Sequence, residues 1–176
     1  MNRAIIFDRD GVLNELVKRP DGQVTSPWNV DEFRFTPGAK DACRLAKSLG
    51  YKTFVVTNQP GIKDGDMTDK DLELINRMVQ RWLNIDLIVC AYDRKSDYYK
   101  PNNRSVEMLI NKYDIDRQYC YMIGDRWKDI VCGERSGIIT IFVGGHYSSP
   151  KQYNHIHPHV ICNDVLEAVK QIEEFG

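Results

Sequence analysis

The sequence predicts an α/β fold in which a mostly parallel, Rossmann-like sheet lies between two layers of helices. Short runs of apolar residues, mostly β-branched or aromatic, alternate with segments of helical periodicity along the whole chain. This alternation is typical of parallel strands joined by crossover helices. The length of 176 residues fits one domain, which we place over residues 1–176.

Six strands are predicted from the apolar runs, because buried parallel strands read as near-continuous hydrophobic segments. They span residues 4–7, 53–56, 87–91, 119–123, 140–143 and 160–162. Residues 15–36, which contain Pro20-Asp21-Gly22 and Pro27, break the alternation and predict a flap or hairpin over the sheet edge. Residues 92–99 also break it, and neither segment is long enough for a lid domain.

Helices are predicted between the strands. The first, over residues 37–49, opens with a Pro-Gly turn and stops at Gly50. Thr68 is a candidate N-cap for the second, whose apolar residues recur at helical spacing and predict core packing: Leu72, Ile75, Met78, Val79, Trp82 and Leu83. Further helices are expected over residues 105–113, 128–136 and 164–175, the last capped by Asn163.

Composition excludes several classes of protein. Hydrophobic residues make up 42% of the chain and charged residues 28%, as in globular proteins, and no apolar run approaches the ~18 residues of a membrane span. The 24 basic and 25 acidic residues nearly cancel, and no basic block could follow a phosphate backbone. We therefore expect no membrane and no nucleic acid as partners, and a monomer or small homo-oligomer that acts on a small molecule.

The N-terminal residues and the cysteines indicate the compartment. The apolar run at residues 4–7 is too short for the ~7–15 apolar residues of a signal peptide. The five cysteines are scattered singly and form no C-x-x-C pair, which favours reduced, buried thiols over a disulfide framework. We expect a cytoplasmic protein.

Polar residues follow the first four strands, where open α/β sheets bind ligands. Four carboxylates, a hydroxyl and an ammonium should converge there: Asp8, Asp10, Asp125, Asp129, Thr57 and Lys100. Clustered carboxylates raise one another's pKa, and Mg²⁺, with its preference for oxygen ligands, would relieve this. Lys100 and Thr57 could orient a bound phosphate. Asp8 would then be the nucleophile, while Asp10 would protonate the leaving oxygen and later activate water.

Four motifs contain these residues and occur in order between residues 8 and 129: D-x-D-G-V-L-N, T-N-Q, K-P and G-D-x-x-x-D. Each follows a predicted strand, and together they resemble the haloacid dehalogenase-like (HAD) phosphohydrolase superfamily. Within it, the likeness is greatest to the phosphatases of D-glycero-D-manno-heptose 1,7-bisphosphate and of histidinol phosphate, over about residues 3 to 170. The resemblance implies a capless HAD-like fold with a short flap after the first strand.

The resemblance also implies roles for individual residues. Asp8 would be the nucleophile and Asp10 the general acid/base, and Thr57 and Lys100 would bind the phosphoryl group. Mg²⁺ would be held by Asp8, the backbone carbonyl of Asp10, Asp125 and, directly or through a water, Asp129. Candidate substrate contacts are Asn14, Asn58, Gln59, Tyr99 and Arg126.

Departures from the family pattern fall where the substrate is chosen. Many relatives carry a zinc loop of three cysteines and a histidine before the K-P motif. Here only Cys90 remains, and residues 91–99 contain neither Cys nor His, so we expect no structural zinc. Tyr99 stands where relatives commonly have an arginine, and Asp64 where they often have another. We favour a heptose (bis)phosphate as the substrate.

Other functions fit parts of the pattern. Histidinol phosphate is an alternative substrate, and a polynucleotide 3′-phosphatase shares the T-N-Q block but would want a basic groove. A phospho-acceptor receiver domain also gathers acidic residues, Thr and Lys on a parallel sheet, although Asp10, two residues after Asp8, favours hydrolysis of the adduct. A non-catalytic binding module is a third class. His155, His157 and His159 alternate, but we interpret them as a loop leading into the last strand.

Overall fold

The computed structural model describes residues 1–144 and 156–175 and is built around a six-stranded sheet. The strands are β1 (Asn2–Phe7), β4 (Lys52–Asn58), β5 (Leu87–Ala91), β6 (Ile115–Gly124), β7 (Ile139–Val143) and β8 (Val160–Cys162). Their order is β5-β4-β1-β6-β7-β8, and each neighbouring pair is parallel. The six predicted strands are confirmed. β6 starts earlier than predicted because Ile115 pairs with Asn2 before the register shifts.

Helices cover both faces of this sheet, as predicted. One face carries α1 (Ala39–Ser48), α3 (Asp69–Leu83) and α6 (Val165–Phe175), and the other carries α4 (Arg104–Tyr113) and α5 (Trp127–Arg135). Alternate residues of β1 join opposite cores: Ile5 and Phe7 pack under α1, α3 and α6, while Ala4 and Ile6 pack under α4 and α5. Burial on both faces explains why residues 4–7 of this strand are all apolar.

Residues 15–36 form the predicted hairpin, which we call the flap. β2 (Val17–Lys18) and β3 (Val24–Thr25) pair antiparallel within it. Its two ends are joined by the Glu15 N–H, which donates to the Arg34 carbonyl at 2.9 Å, and the Thr36 N–H ties it to the segment after β1 by donating to the Leu13 carbonyl at 3.0 Å. A short helix that was not predicted, α2 (Gly61–Asp64), follows β4.

Two expectations about helices were wrong. Trp82 is 62% exposed, because the buried stripe of α3 consists of Leu72, Ile75, Val79 and Leu83 and Trp82 falls beside it. Asn163 does not cap α6; the Asp164 side chain accepts the hydrogen bond from the Glu167 N–H at 2.9 Å. The predicted N-cap of α3 is confirmed, as the Thr68 hydroxyl accepts from the Asp71 N–H.

The remaining expectations concern cysteines, histidines and membrane spans. All five cysteines are free thiols, and four of them are buried. His157 and His159 precede β8 as predicted, and the Nδ1 atom of His159 accepts from the Thr140 N–H at 3.1 Å; His155 lies outside the described residues. No helix in the described part of the chain is long and apolar enough to cross a membrane.

Candidate active site

The four motifs meet at the carboxyl edge of the sheet. β1 lies between β4 and β6, so the chain reverses its direction of winding beside β1, which is where open α/β sheets bind ligands. The six predicted catalytic and metal-binding residues are all buried there: Asp8, Asp10, Thr57, Lys100, Asp125 and Asp129. The structure therefore brings together the groups that the sequence predicted to converge.

Lys100 lies at the centre of this group. Its Nζ atom donates to Asp8 Oδ1 at 2.8 Å and to the Val56 carbonyl at 2.6 Å, and lies 2.7 Å from Asp129 Oδ1. Burial disfavours the charged form, but the carboxylates of Asp129 and Asp8 outweigh burial and raise the pKa of Lys100. The ammonium is thus held charged between two carboxylates.

Asp125 completes an acidic cluster with Asp8 and Asp129, whose ligand oxygens lie within 4.8 Å of one another. Burial, followed by the charge of Asp129, raises the pKa of Asp8 to about 6. Burial, followed by the charge of Asp8, also raises the pKa of Asp125 well above its ordinary range. Three ionised carboxylates in this space would repel one another, so the cluster has the charge pattern of a cation site.

Two glycines allow the carboxylates to lie against the backbone. Gly11 has a φ of 90°, and a Cβ atom there would lie 2.3 Å from Asp125 Oδ2. A Cβ atom on Gly124 would lie 2.1 Å from the Cβ of Asp129. The site needs glycine at both positions.

Asp10 is surrounded by hydrogen-bond donors. Its Oδ1 atom accepts from Asn14 Nδ2 at 3.0 Å and from the Arg9 guanidinium, and its Oδ2 atom accepts from Gln59 Nε2. Gln59 Nε2 also donates to the Thr57 hydroxyl at 2.8 Å. Asn14 and Gln59, predicted as substrate contacts, are 0% and 1% exposed, and they lie behind Asp10 rather than in the wall of the cleft.

A cleft of about 280 Å³ opens over these groups. The predicted residues that line it are Asp8, Asp10, Asn58, Tyr99, Lys100, Arg126 and Asp129. Asn58 also fixes the backbone of Lys100, since its side chain accepts from the Lys100 N–H at 2.9 Å and donates to the Lys100 carbonyl at 3.0 Å. Asn58 therefore links the end of β4 to the loop that carries the lysine.

Two further cations line the cleft beside Arg126: Arg94 and Lys128. Arg94 forms a bidentate pair with Asp64, at 2.7 and 2.6 Å. Burial and the charges of Arg126 and Arg94 lower the pKa of Lys128, which forms no ion pair with any residue in the described ranges. Sequence reasoning missed both cations: Arg94 stands outside the motifs, and Lys128 occupies a variable position within the G-D-x-x-x-D motif.

The flap supplies one wall of the cleft and holds Trp28 there. The Arg19 guanidinium lies 3.4 Å from the centre of the Trp28 ring and binds Glu32 through two nitrogens, at 2.6 and 2.9 Å. Glu32 also accepts from the Trp28 N–H at 2.8 Å. Arg19 and Glu32 therefore fix both the backbone and the ring of Trp28.

The fold and this set of residues define a phosphohydrolase of the HAD-like class. A family model described as HAD-hydrolase-like matches residues 98–168. The D-glycero-D-manno-heptose-1,7-bisphosphate 7-phosphatase of Chlorobaculum tepidum is 30% identical, over 95% of this chain and 92% of that protein. The D-glycero-beta-D-manno-heptose-1,7-bisphosphate 7-phosphatase of Helicobacter pylori strain 26695 is also 30% identical, over 98% of both. The chain belongs to the HAD-like hydrolases, in the family of these heptose-bisphosphate phosphatases.

The comparison with solved structures confirms the fold. The D,D-heptose 1,7-bisphosphate phosphatase of B. bronchiseptica, crystallised with magnesium and phosphate, superimposes with a TM-score of 0.85. The match covers 99% of both chains at 23% identity. The predicted α/β sandwich with a parallel HAD-like sheet is therefore the observed one.

Proposed function

We propose that this protein is a Mg²⁺-dependent phosphomonoester hydrolase that acts through an aspartyl-phosphate on Asp8. The observation that carries the proposal is the position of Asp8, which is hydrogen-bonded to the buried Lys100 and shares the acidic cluster with Asp125 and Asp129. A carboxylate nucleophile, a cation to neutralise phosphoryl oxygens and a set of metal-binding carboxylates thus occupy one cleft.

The reaction has two halves. An Asp8 oxygen attacks phosphorus, and the new O–P bond forms as the ester P–O bond breaks; the leaving oxygen takes a proton from Asp10. In the second half, the Asp10 carboxylate accepts a proton from water, whose oxygen attacks phosphorus. Inorganic phosphate is released and the Asp8 carboxylate is restored. Lys100 and the Thr57 hydroxyl orient the phosphoryl oxygens in both halves.

The charge of the site fits a divalent cation. Its four carboxylates outnumber the two buried cations, Lys100 and Arg9. Even with the half-exposed Arg126, 3.9 Å from Asp125, a negative charge is left to balance. Asp8, Asp125 and the Asp10 carbonyl would hold Mg²⁺, and Asp129, already bonded to Lys100, would act beside it. When bound, the ion draws charge from the phosphoryl oxygens.

The proposed substrate is a D-glycero-D-manno-heptose 1,7-bisphosphate, cleaved at carbon 7. The relatives that match the chain are named for this reaction, and the cluster of Arg94, Arg126 and Lys128 along the cleft supports a substrate with a second anionic group. Enzymes named for the alpha and for the beta anomer both match, so the assay includes both anomers.

Release of inorganic phosphate tests this proposal. The panel contains both heptose bisphosphate anomers, a hexose 6-phosphate, histidinol phosphate and a 3′-phosphorylated oligonucleotide, each with Mg²⁺ and with EDTA. We expect turnover with Mg²⁺ alone and a preference for one heptose bisphosphate. A preference for histidinol phosphate or the oligonucleotide would contradict the proposed substrate and leave the proposed mechanism unchanged.

The same assay separates an enzyme from a phospho-acceptor domain. Acetyl phosphate offers an activated phosphoryl group to either class. A receiver-type domain would accumulate a stable phosphoprotein without steady release of phosphate, and this result, with no turnover on the panel, would overturn the proposal.

A further inference from the structure

Arg9 is a charged group in the site that the proposed mechanism leaves without a role. It stands between Asp8 and Asp10 in the sequence and is 0% exposed, and it is among the largest fully buried side chains of the described residues. A buried guanidinium is costly unless its donors are paired. The partners of Arg9 therefore indicate what it does.

One side of the guanidinium faces Asp10. Arg9 Nε and one terminal nitrogen donate to Asp10 Oδ1 at 3.2 and 3.0 Å, and the same terminal nitrogen reaches Oδ2 at 3.3 Å. Contact with both oxygens fixes the plane of the carboxylate as well as its position. Asn14 and Gln59 complete the set of donors around Asp10.

The other side of the guanidinium is held by α3. The second terminal nitrogen of Arg9 donates to Asn76 Oδ1 at 2.8 Å. The amide of Asn76 is oriented in turn, because its Nδ2 donates to the sulfur of Cys90, at the end of β5, at 3.2 Å. Asn76 is half-buried and is not among the residues that line the cleft.

We propose that Arg9 and Asn76 are positioning residues for proton transfer by Asp10. Arg9 holds the Asp10 carboxyl group toward the leaving oxygen and stabilises the carboxylate that remains once the proton has been transferred, and Asn76 holds Arg9. The inference rests on the proposed function, in which Asp10 is the general acid. It makes helix α3 part of the catalytic apparatus although none of its side chains reaches phosphorus.

Leaving-group dependence separates this role from a structural one. p-Nitrophenyl phosphate expels a stable anion that needs no proton, whereas an alkyl phosphate such as the preferred sugar phosphate depends on the general acid. The measured quantity is kcat/KM, which reports the first phosphoryl transfer. The variants are Asn76→Ala, Asn76→Asp, which keeps the oxygen that Arg9 contacts, and Arg9→Lys, which keeps the charge but loses the fork.

We expect Asn76→Ala to lower kcat/KM for the sugar phosphate about 10-fold and Arg9→Lys about 100-fold, with p-nitrophenyl phosphate hydrolysis within about 2-fold of wild type. Asn76→Asp should recover most of the loss. Arg77 is exposed on the same helix, so Arg77→Ala is the matched control and should leave kcat/KM unchanged for both substrates. Hydrolysis of p-nitrophenyl phosphate also reports that each variant is folded.

Equal losses on both substrates would overturn the inference and leave Arg9 and Asn76 as structural residues, and so would an unchanged sugar phosphate reaction in Asn76→Ala. These outcomes differ from failure of the proposed function. In that case the wild-type protein would hydrolyse neither substrate, or Asp8→Asn would hydrolyse both as fast as wild type.

Discussion

Asp8 is the side chain on which the proposed chemistry depends most directly. Replacing it by asparagine keeps its shape and its contact with Lys100 but removes the nucleophilic oxygen. We expect Asp8→Asn to lower kcat by at least about 10⁴-fold, with phosphate release as the measurement. The fold should persist, because burial disfavours the charged form of Asp8 and raises its pKa to about 6. Asparagine carries no charge, so it avoids this cost.

A matched control for Asp8→Asn is Asp41→Asn. Asp41 lies in the first turn of α1 with a side chain that is 64% exposed, so it undergoes the same chemical change away from the site. Its activity should equal that of wild type. Substantial turnover by Asp8→Asn, after contaminating phosphatase has been excluded, would remove Asp8 from the role of nucleophile.

At the scale of single elements, one arginine holds Trp28 of the flap in the wall of the cleft. Arg19 stacks on Trp28 and bridges it to Glu32, so Arg19→Ala should free the flap to move off the cleft. We expect KM for the sugar phosphate to rise about 10-fold, while acetyl phosphate, which is too small to reach Trp28, keeps its kcat/KM. The exposed Lys18→Ala on the same hairpin is the control. An unchanged KM in Arg19→Ala would show that the flap does not contact the sugar.

The first turn of α5 carries a lysine that could bind the second anionic group of the substrate. Lys128 lines the cleft and forms no ion pair within the described part of the chain, so its charge is available to a ligand. Lys128→Met should raise KM for a bisphosphate about 10-fold and leave KM for the corresponding monophosphate unchanged. Lys112→Met on α4 is the control. Equal KM changes for both substrates would contradict a subsite for the second phosphate.

The secondary structure and the deep site could be predicted because their signals are local. An apolar run marks each strand, and the sheet fixes the position of the polar residues that follow it. The exposure of Trp82 could not be predicted this way. Adjacent positions around a helix can face the core or the solvent, and the apolar spacing of α3 is compatible with either for Trp82. The positions of Arg94, which pairs with Asp64, and of Asn76, which binds Arg9, depend on contacts between segments distant in sequence. Such contacts leave no periodic signal, so these residues emerge only from the structure, whereas Asn58, Tyr99 and Arg126, which also line the cleft, lie in or beside the motifs.

At the scale of the whole molecule, the acidic cluster links stability to pH and to metal. The pKa values of Asp8 and Asp125 are raised by burial and by neighbouring carboxylates, so the folded protein binds these protons more tightly than the unfolded chain. The stability that these groups contribute is full below their ordinary pKa of 3.8 and is lost as pH rises through their raised pKa values, which for Asp8 is about 6. We therefore expect metal-free protein to lose Tm across this range, and Mg²⁺ to restore it at pH 7.

Asp125→Asn provides the comparison for that experiment, which is thermal unfolding at pH 4 to 7 with Mg²⁺ or EDTA. The variant removes one of the repelling charges and one proposed ligand. Its metal-free Tm should depend less on pH and should respond less to Mg²⁺. A wild-type Tm that is independent of Mg²⁺ at pH 7 would contradict a metal site in this cluster.

Metal content is a second property of the whole molecule. The loop between β5 and α4 contains neither Cys nor His after Cys90, and ion pairs join it to α2, Arg94 to Asp64 and Lys63 to Asp93. We expect elemental analysis of protein purified without chelator to show no stoichiometric zinc. One zinc per chain would show that another set of ligands has replaced the family's loop.

The positions of the strands predict that β1 and the flap differ in how often their hydrogen bonds open. β1 is paired on both sides and buried on both faces, whereas the two strands of the flap are two residues long and, among the residues that the structure describes, pair only with each other. Amide hydrogens of β1 should therefore exchange with solvent only through global unfolding, while those of the flap exchange through frequent local fluctuations. In that case the aspartates after β1 should stay assembled when the flap next to them opens, so that substrate can enter and product can leave without disturbing the catalytic groups.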